Sequence, residues 1–338
     1  MKVDGILMAD ALGGVGRVAS EMEALGYDGL LTAEINHDPF YPLLMAAGST
    51  QSAQLATGIA VAFARSPMTV ANTAWDLQVY SEGRFFLGLG SQIRPHIEKR
   101  FSMPWSHPAA RMKEYVLALK AIWESWMTGD RLNFRGDFYQ HTLMTPFFSP
   151  GLNAFGPPPV AVAAVGAKMT EVAATVADGI FMHGFTTPRY VREVTMPAIE
   201  VGLAASGRTR ADFTAFAPLF VVTGATEEEM ATARAMTCQQ IAFYGSTPNY
   251  RPVLELHGWG ALQDELNRLS KLGEWQKMGD SIDDEILNTI AVVAEPSDVA
   301  RELHERFGDT VDRLSFYAPY AAHPEVWAGI IDDLHELG

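Results

Sequence analysis

The segment 32–39, Thr-Ala-Glu-Ile-Asn-His-Asp-Pro, places two carboxylates and an imidazole in one short loop. Glu34 or His37 could exchange a proton with a substrate or orient a cofactor there, while Asp38 before Pro39 also has the form of a helix cap. His96 and Arg100 stand four residues apart and share one face of any helix that carries them. His183 closes an apolar run, and the following Gly184 leaves space beside its ring. These three histidines and Glu34 are the candidate acid/base groups. None of the histidines forms HxH or HExxH, so metal-dependent hydrolysis and a metal site are not expected. GxSxG is absent as well, which argues against a nucleophile-elbow esterase.

Two further segments suit ligand binding more than proton transfer. Gly88-Leu89-Gly90-Ser91-Gln92 lacks the third glycine of a dinucleotide fingerprint, yet its glycines would let a flat ring approach the backbone, with Ser91 and Gln92 able to hydrogen-bond it. In Gly166-Ala167-Lys168-Met169 the lysine falls in a first helical turn, where the macrodipole disfavours a cation. A bound anion would resolve that conflict, because free amides and a nearby ammonium make a phosphate site.

These residues sit at the ends of regularly alternating elements. Apolar runs at 3–8, 29–33, 57–63, 85–89, 160–164, 179–182, 213–223 and 313–317 read as strands, separated by stretches with apolar residues at helical spacing. Pro67 opens the helix of 68–80, and Thr226 followed by three glutamates opens another. Eight strands in such alternation predict a (β/α)8 TIM barrel in one domain spanning 1–338, and in parallel α/β units the turns after the strands carry the chemistry. Two stretches exceed the repeating unit: 128–159, with a β-hairpin and a Pro/Gly-rich connection, and 227–290, a helical insertion after the seventh strand.

With 48% hydrophobic and 19% charged residues, the chain can bury a large core and is not expected to be disordered. The net charge of −15 argues against nucleic acid or an anionic membrane as partner and favours a small molecule. The single cysteine, Cys238, cannot form an internal disulfide and reads as a packed thiol. No secretory leader pattern and no bilayer-length apolar run is present, so the expectation is a cytoplasmic protein.

At the segments GILMADALGG, TAEINHDPF, GIAVAFARSP, SEGRFFLGLGSQ, HIEKRF, AAVGAKM and AFYGSTPNY, taken in this order, the chain resembles the luciferase-like monooxygenase superfamily, and more closely its deazaflavin (coenzyme F420)-dependent oxidoreductase branch. The resemblance implies a bacterial luciferase-like barrel that binds coenzyme F420 or FMN at the carboxyl rim and moves hydride to or from its C5 or N5 position. It implies a bulge with a non-prolyl cis peptide at Ala60-Val61 behind the ring, Ser91 and Gln92 at the ring's rim, and Gly166, Ala167, Lys168 and Met169 at the phosphate. It also implies a homodimer built on the helices of 68–80 and 109–127. One departure stands out: Ile93 occupies the place of the glutamate that sugar-phosphate dehydrogenases of this superfamily carry, which leaves His37, His96 or His183 as acid/base groups. The reading that follows is an F420-dependent oxidoreductase acting on an apolar small molecule, with Phe40, Phe63, Trp105 and Tyr244 as substrate wall. The alternatives are an FMN-dependent monooxygenase served by a separate reductase, and a flavin-binding relative without catalysis.

Overall fold

The computed structural model describes residues 1–8 and 11–338. Ala9 and Asp10, within the GILMADALGG stretch, lie outside the described residues. Eight parallel strands form the barrel: β1 (Lys2–Ile6), β2 (Gly29–Thr32), β3 (Gln54–Thr57, resuming at Ala60–Val61), β4 (Phe85–Gly90), β5 (Val160–Ala163), β6 (Gly179–Phe181), β7 (Thr214–Val222) and β8 (Arg313–Tyr317). Each pairs with the next, and β8 returns to β1 through Lys2↔Arg313 and Val3↔Leu314, so the sheet closes as the alternation predicts.

Around it run α1 (Val15–Ala24), α2 (Phe40–Ala47), α3 (Pro67–Tyr80), α4 (Pro108–Thr128), α5 (Ala167–Val176) and α6 (Met196–Ser206). Then come α7 (Glu227–Gly245), α8 (Gly260–Leu272), α9 (Trp275–Asp280), α10 (Pro296–Phe307) and α11 (Pro324–Leu337). The starts of two helices follow local chemistry read from the sequence: the Ser66 hydroxyl accepts the Thr69 N–H ahead of α3, and the Thr226 hydroxyl accepts the Glu229 N–H ahead of α7. The excursion after β7 is helical and ends in a short strand, Val292–Val293, that pairs with β7. The earlier excursion carries its hairpin at Phe134–Arg135 against Gln140–His141, with the turn amides of 137–139 held on the Glu114 carboxylate.

The third strand departs from the continuous run expected over 57–63. Leu55 and Ala56 pair with Phe85 and Phe86, but Ala60 pairs with Leu89, so residues 57–59 face only 87–88 and β3 carries a one-residue bulge. Beyond Val61 the chain turns through a short 3₁₀ segment, Ala62–Ala64. The Thr57 hydroxyl stitches the bulge to β4, donating to the Gly88 carbonyl (2.6 Å) and accepting the Gly88 N–H (2.9 Å). A Cβ on Gly88 would lie 1.8 Å from the Thr57 carbonyl oxygen, so only glycine permits the approach. The peptide bonds among the described residues are all trans, which corrects the cis bond implied by resemblance at Ala60-Val61.

Inside the barrel, inward residues of successive strands make one layer in which Phe216 stacks on Phe181 (4.4 Å between centroids) and meets Phe86 edge-on (5.1 Å). A buried Arg313–Asp4 ion pair joins β8 to β1 beside it. Among the described residues, no helix is long and apolar enough to cross a membrane.

The stitch yields a stability prediction. Thr57→Val keeps the shape but strips both hydrogen bonds from a fully buried site, and it should cost about 2–3 kcal/mol. Urea unfolding should show a lower midpoint at unchanged slope.

Candidate active site

A cavity of about 1070 Å³ opens at the carboxyl ends of the strands. Its floor is the Phe181/Phe216 layer with the Asp4–Arg313 pair, and its walls include Ile59, Ser91, Gln92, His183 and Tyr244. Burial pushes the Asp4 carboxyl up, against the Arg313 guanidinium that holds it down. Asp4 is the only carboxylate among the described lining residues.

The wall at the end of β3 is fixed by Glu34. Its carboxylate accepts the Val61 N–H (2.7 Å) just past the bulge and the Arg65 guanidinium (2.6 Å), whose other nitrogen reaches Asp38 (2.8 Å). Asp38 also accepts the Phe40 N–H (2.9 Å) at the entry to α2. Glu34 therefore anchors the wall from behind and does not line the cavity, with 6% of its side chain exposed. The next wall follows β4, where Gln92 adopts a left-handed backbone (φ 59°) and its side-chain oxygen accepts the Ile93 N–H (3.0 Å). A non-glycine residue in that region is uncommon and needs such local support.

On the β5 side the chain enters α5 at Gly166, which has no side-chain cap. A Cβ there would meet nothing within 4 Å, so the first amides of α5 open onto space beside the cavity. Gly166 and Met169 line the cavity, whereas Ala167 and Lys168 are exposed outside its lining. The geometry can take an anion at the helix start, with Lys168 on the outer side.

His183, just past β6, is the one of the three candidate histidines that lines the cavity. Its ring stacks on Tyr250 (4.4 Å) and meets Tyr244 edge-on (4.6 Å). Nδ1 accepts the Phe185 N–H (3.0 Å), which places the proton on Nε2. Burial among these rings pulls its pKa down to about 4, so the imidazole is neutral at physiological pH and serves as a hydrogen-bond donor. Tyr244 shares a 2.7 Å hydroxyl–hydroxyl hydrogen bond with Tyr317 at the end of β8. Burial, reinforced by that bond, pushes Tyr317 strongly up, and burial pushes Tyr250 up to about 12.

The other candidates lie elsewhere. His37 and His96 are exposed and outside the cavity lining. Arg100, instead of joining His96 at the mouth, bonds the Ile35 carbonyl. Residues 96–100 form a single wide turn closed by the Phe101 N–H on the His96 carbonyl (3.0 Å). Of the proposed substrate wall, Tyr244 faces the cavity, while Phe40 packs under Arg65 and Phe63 is fully buried between Trp105 and Arg111. Ala60 and Val61 are fully buried behind the wall, and Gly58 and Ile59 of the bulge present the surface. Tyr250, Tyr317 and Asp4 escaped the sequence reading. The AFYGSTPNY segment held a usable signal for Tyr250, but nothing local tied Tyr317 or Asp4 to it.

The family described as luciferase-like monooxygenase matches residues 2–313. The chain belongs to it. An uncharacterized protein of Mycobacterium tuberculosis is 54% identical over 314 residues, 93% of this chain and 92% of that one. A 5,10-methylenetetrahydromethanopterin reductase of Archaeoglobus fulgidus is 26% identical over 80% of this chain and 78% of its own. Among solved structures, the coenzyme F420-dependent tetrahydromethanopterin reductase of Methanopyrus kandleri superposes with a TM-score of 0.79 at 17% identity, covering 98% of this chain and 96% of that one. Monooxygenases share the luciferase-like fold too, one of them solved with FMN.

Within this luciferase-like barrel the neutral His183 makes a pH prediction. The unfolded chain takes up a proton as pH falls through about 6.5, whereas the folded site resists until about 4, so stability falls across that window. The unfolding free energy of the wild type should drop by about 3 kcal/mol more than that of His183→Phe between pH 7 and pH 4. Equilibrium unfolding of both proteins across that range checks it.

Proposed function

We propose that this protein is a coenzyme F420-dependent oxidoreductase that moves a hydride between the deazaflavin C5 and an apolar small molecule. The observation that carries the reading is the aromatic-lined cavity, whose only charges are the mutually paired Asp4 and Arg313 among the described lining residues, with a bulged strand on one wall and the open amides of α5 on another. The residues fit such a coenzyme. The volume exceeds what one flat ring system fills, Gly58 lies in the bulge with Gly90 on the strand beside it, and Gly166 leaves an opening at a helix start that an anion can occupy. When bound, the coenzyme supplies a carbon that gives or takes a hydride.

The chain's own groups have separable roles. The bulge, backed by Glu34 and Arg65, gives a flat face for the ring, and Ser91 and Gln92 offer hydrogen bonds at its rim. Gly166 and Met169, with Lys168 outside them, would hold the coenzyme's phosphate. Ile93, half exposed at the mouth, leaves the place of the family's glutamate apolar. His183 then donates its Nε2–H to a substrate oxygen, and the Tyr244–Tyr317 hydroxyl pair holds a proton within the same cavity.

Anaerobic titration with oxidised coenzyme F420 and, separately, FMN, followed by absorbance and tryptophan fluorescence, tests the cofactor. Saturable binding of the deazaflavin alone is expected. Preference for FMN would replace this reading with a monooxygenase that needs a separate reductase, and binding of neither would favour a non-catalytic relative. In a substrate screen by coenzyme bleaching, His183→Gln should lower turnover at least about 100-fold with coenzyme affinity retained.

We also propose that the protein works as a cytoplasmic homodimer. Trp123 and Trp126 of α4 are buried in their own barrel and cannot serve as anchors, but Tyr41, Leu44 and Met45 of α2 and Val79 and Tyr80 of α3 expose apolar surface. Sedimentation at micromolar concentration should give a dimer, and Leu44→Glu with Tyr80→Glu should give a monomer.

A further inference from the structure

A second cavity, of about 540 Å³, lies between α7 and α9 at the outer edge of the first. Gln240 and Pro319 line both cavities and form their common wall. Helix periodicity on α7 explains the arrangement. Gln240 and Tyr244 face the main cavity, with Thr247 just past the helix end beside them, while Met236, Gln239 and Phe243, one stripe round the same helix, face the second. Its opposite side comes from Trp275, Gln276 and Met278 of α9.

The chemistry of this groove is specific. Phe243 and Trp275 leave 50% and 54% of their surface exposed, their ring centroids 6.5 Å apart. Gln239 donates to Gln276 across the exposed side of the groove at 3.4 Å. No charged side chain lies among its described lining residues.

We propose that this groove is a subsite for the distal part of an elongated, uncharged substrate, an alkyl or aromatic chain whose reacting end sits beside His183. The inference rests on the oxidoreductase reading and deepens it by naming the substrate class. Adjacency to the main cavity is one argument, since only the side chains of Gln240 and Pro319 stand between the two and a chain passing over them reaches both. The other excludes the coenzyme's own oligoglutamate tail: a polyanion finds no cation here, and the phosphate opening at Gly166 follows β5, whereas the groove adjoins the segments after β7 and β8.

The test uses the homologous series from 2-butanol to 2-decanol, titrated calorimetrically into coenzyme-free protein. Beyond the length that reaches from His183 to the groove, affinity should rise two- to about fourfold per added methylene, the upper figure being full transfer from water. In Phe243→Ala/Trp275→Ala that rise should flatten for the long members while the short members and coenzyme F420 bind as before. Both side chains are half exposed, so far-UV circular dichroism should confirm an intact fold, and Phe243→Glu provides a second variant with the same expectation. Absence of chain-length dependence in the wild type, or an unchanged rise in both variants, would overturn the subsite. Weaker coenzyme binding in the variants would assign the groove to the coenzyme and overturn it too. Failure of F420 to bind the wild type, with the chain-length effect and its loss intact, would refute the oxidoreductase reading and leave the subsite standing.

Discussion

The close approach of Thr57 to Gly88 is the constraint on which the site depends. A parallel barrel with regular register would send β3 straight up beside β4 and leave no shelf at its mouth. Because Gly88 has no Cβ, the Thr57 carbonyl can crowd it, and the Thr57 hydroxyl satisfies both backbone groups that the irregular pairing would strand. The extra residue then bends β3 and presents Gly58 and Ile59 to the cavity. The new path frees the Val61 N–H from ladder partners, and Glu34 captures it. Arg65 neutralises Glu34 and ties it to Asp38, so one buried network holds strand, bulge and the entry to α2 together.

That network explains why the most chemically suggestive loop in the sequence is architectural. A catalytic carboxylate needs a lone pair facing the reactant. One Glu34 oxygen, Oε2, takes both a backbone amide and a guanidinium, and the side chain is almost fully enclosed outside the cavity lining. The titratable side chains on the cavity wall that the proposed chemistry would use are instead the imidazole and phenols whose charged forms burial disfavours. His183 is held neutral by burial among tyrosine rings, and Tyr317 and Tyr250 are held protonated by burial of their own. The cavity is thus a low-charge compartment inside a strongly acidic protein, which suits an apolar reactant.

The alternation of apolar runs made the barrel and the helical excursion after β7 legible, because strand and helix periods are properties of contiguous residues. The bulge was not. Thr57 to Phe63 is uniformly apolar after its first residue apart from Gly58, and a register shift leaves no mark in such a run. Site residues divided along the same line. Ser91, Gln92, Gly166 and His183 follow closely on strands, Met169 sits in the first turn of the next helix, and all five line the cavity. His96 also follows a strand, yet the wide turn it opens carries it outward. Phe63 and Trp105 are large and apolar, and the sequence alone has no means to tell a core ring from a cavity ring.

The cluster of His183 with three tyrosines was the least legible feature because no single segment contains it. His183 comes from the end of β6, Tyr244 and Tyr250 from the excursion after β7, and Tyr317 from the end of β8. The excursion therefore does more than cover the barrel mouth. Its two tyrosines desolvate His183, and the Phe185 N–H fixes which nitrogen carries the proton. Because the same helix α7 turns one stripe to that cluster and the adjacent stripe to the outer groove, substitutions along it divide by position. On the proposed reading, changes at Tyr244 act on the proton chemistry and changes at Phe243 on the reach of the site, although the two residues are neighbours in the chain. Such a division lets an excursion of this kind alter substrate length without altering the chemistry, since the bulge and the α5 amides belong to the barrel and stay where Thr57 and Gly166 put them.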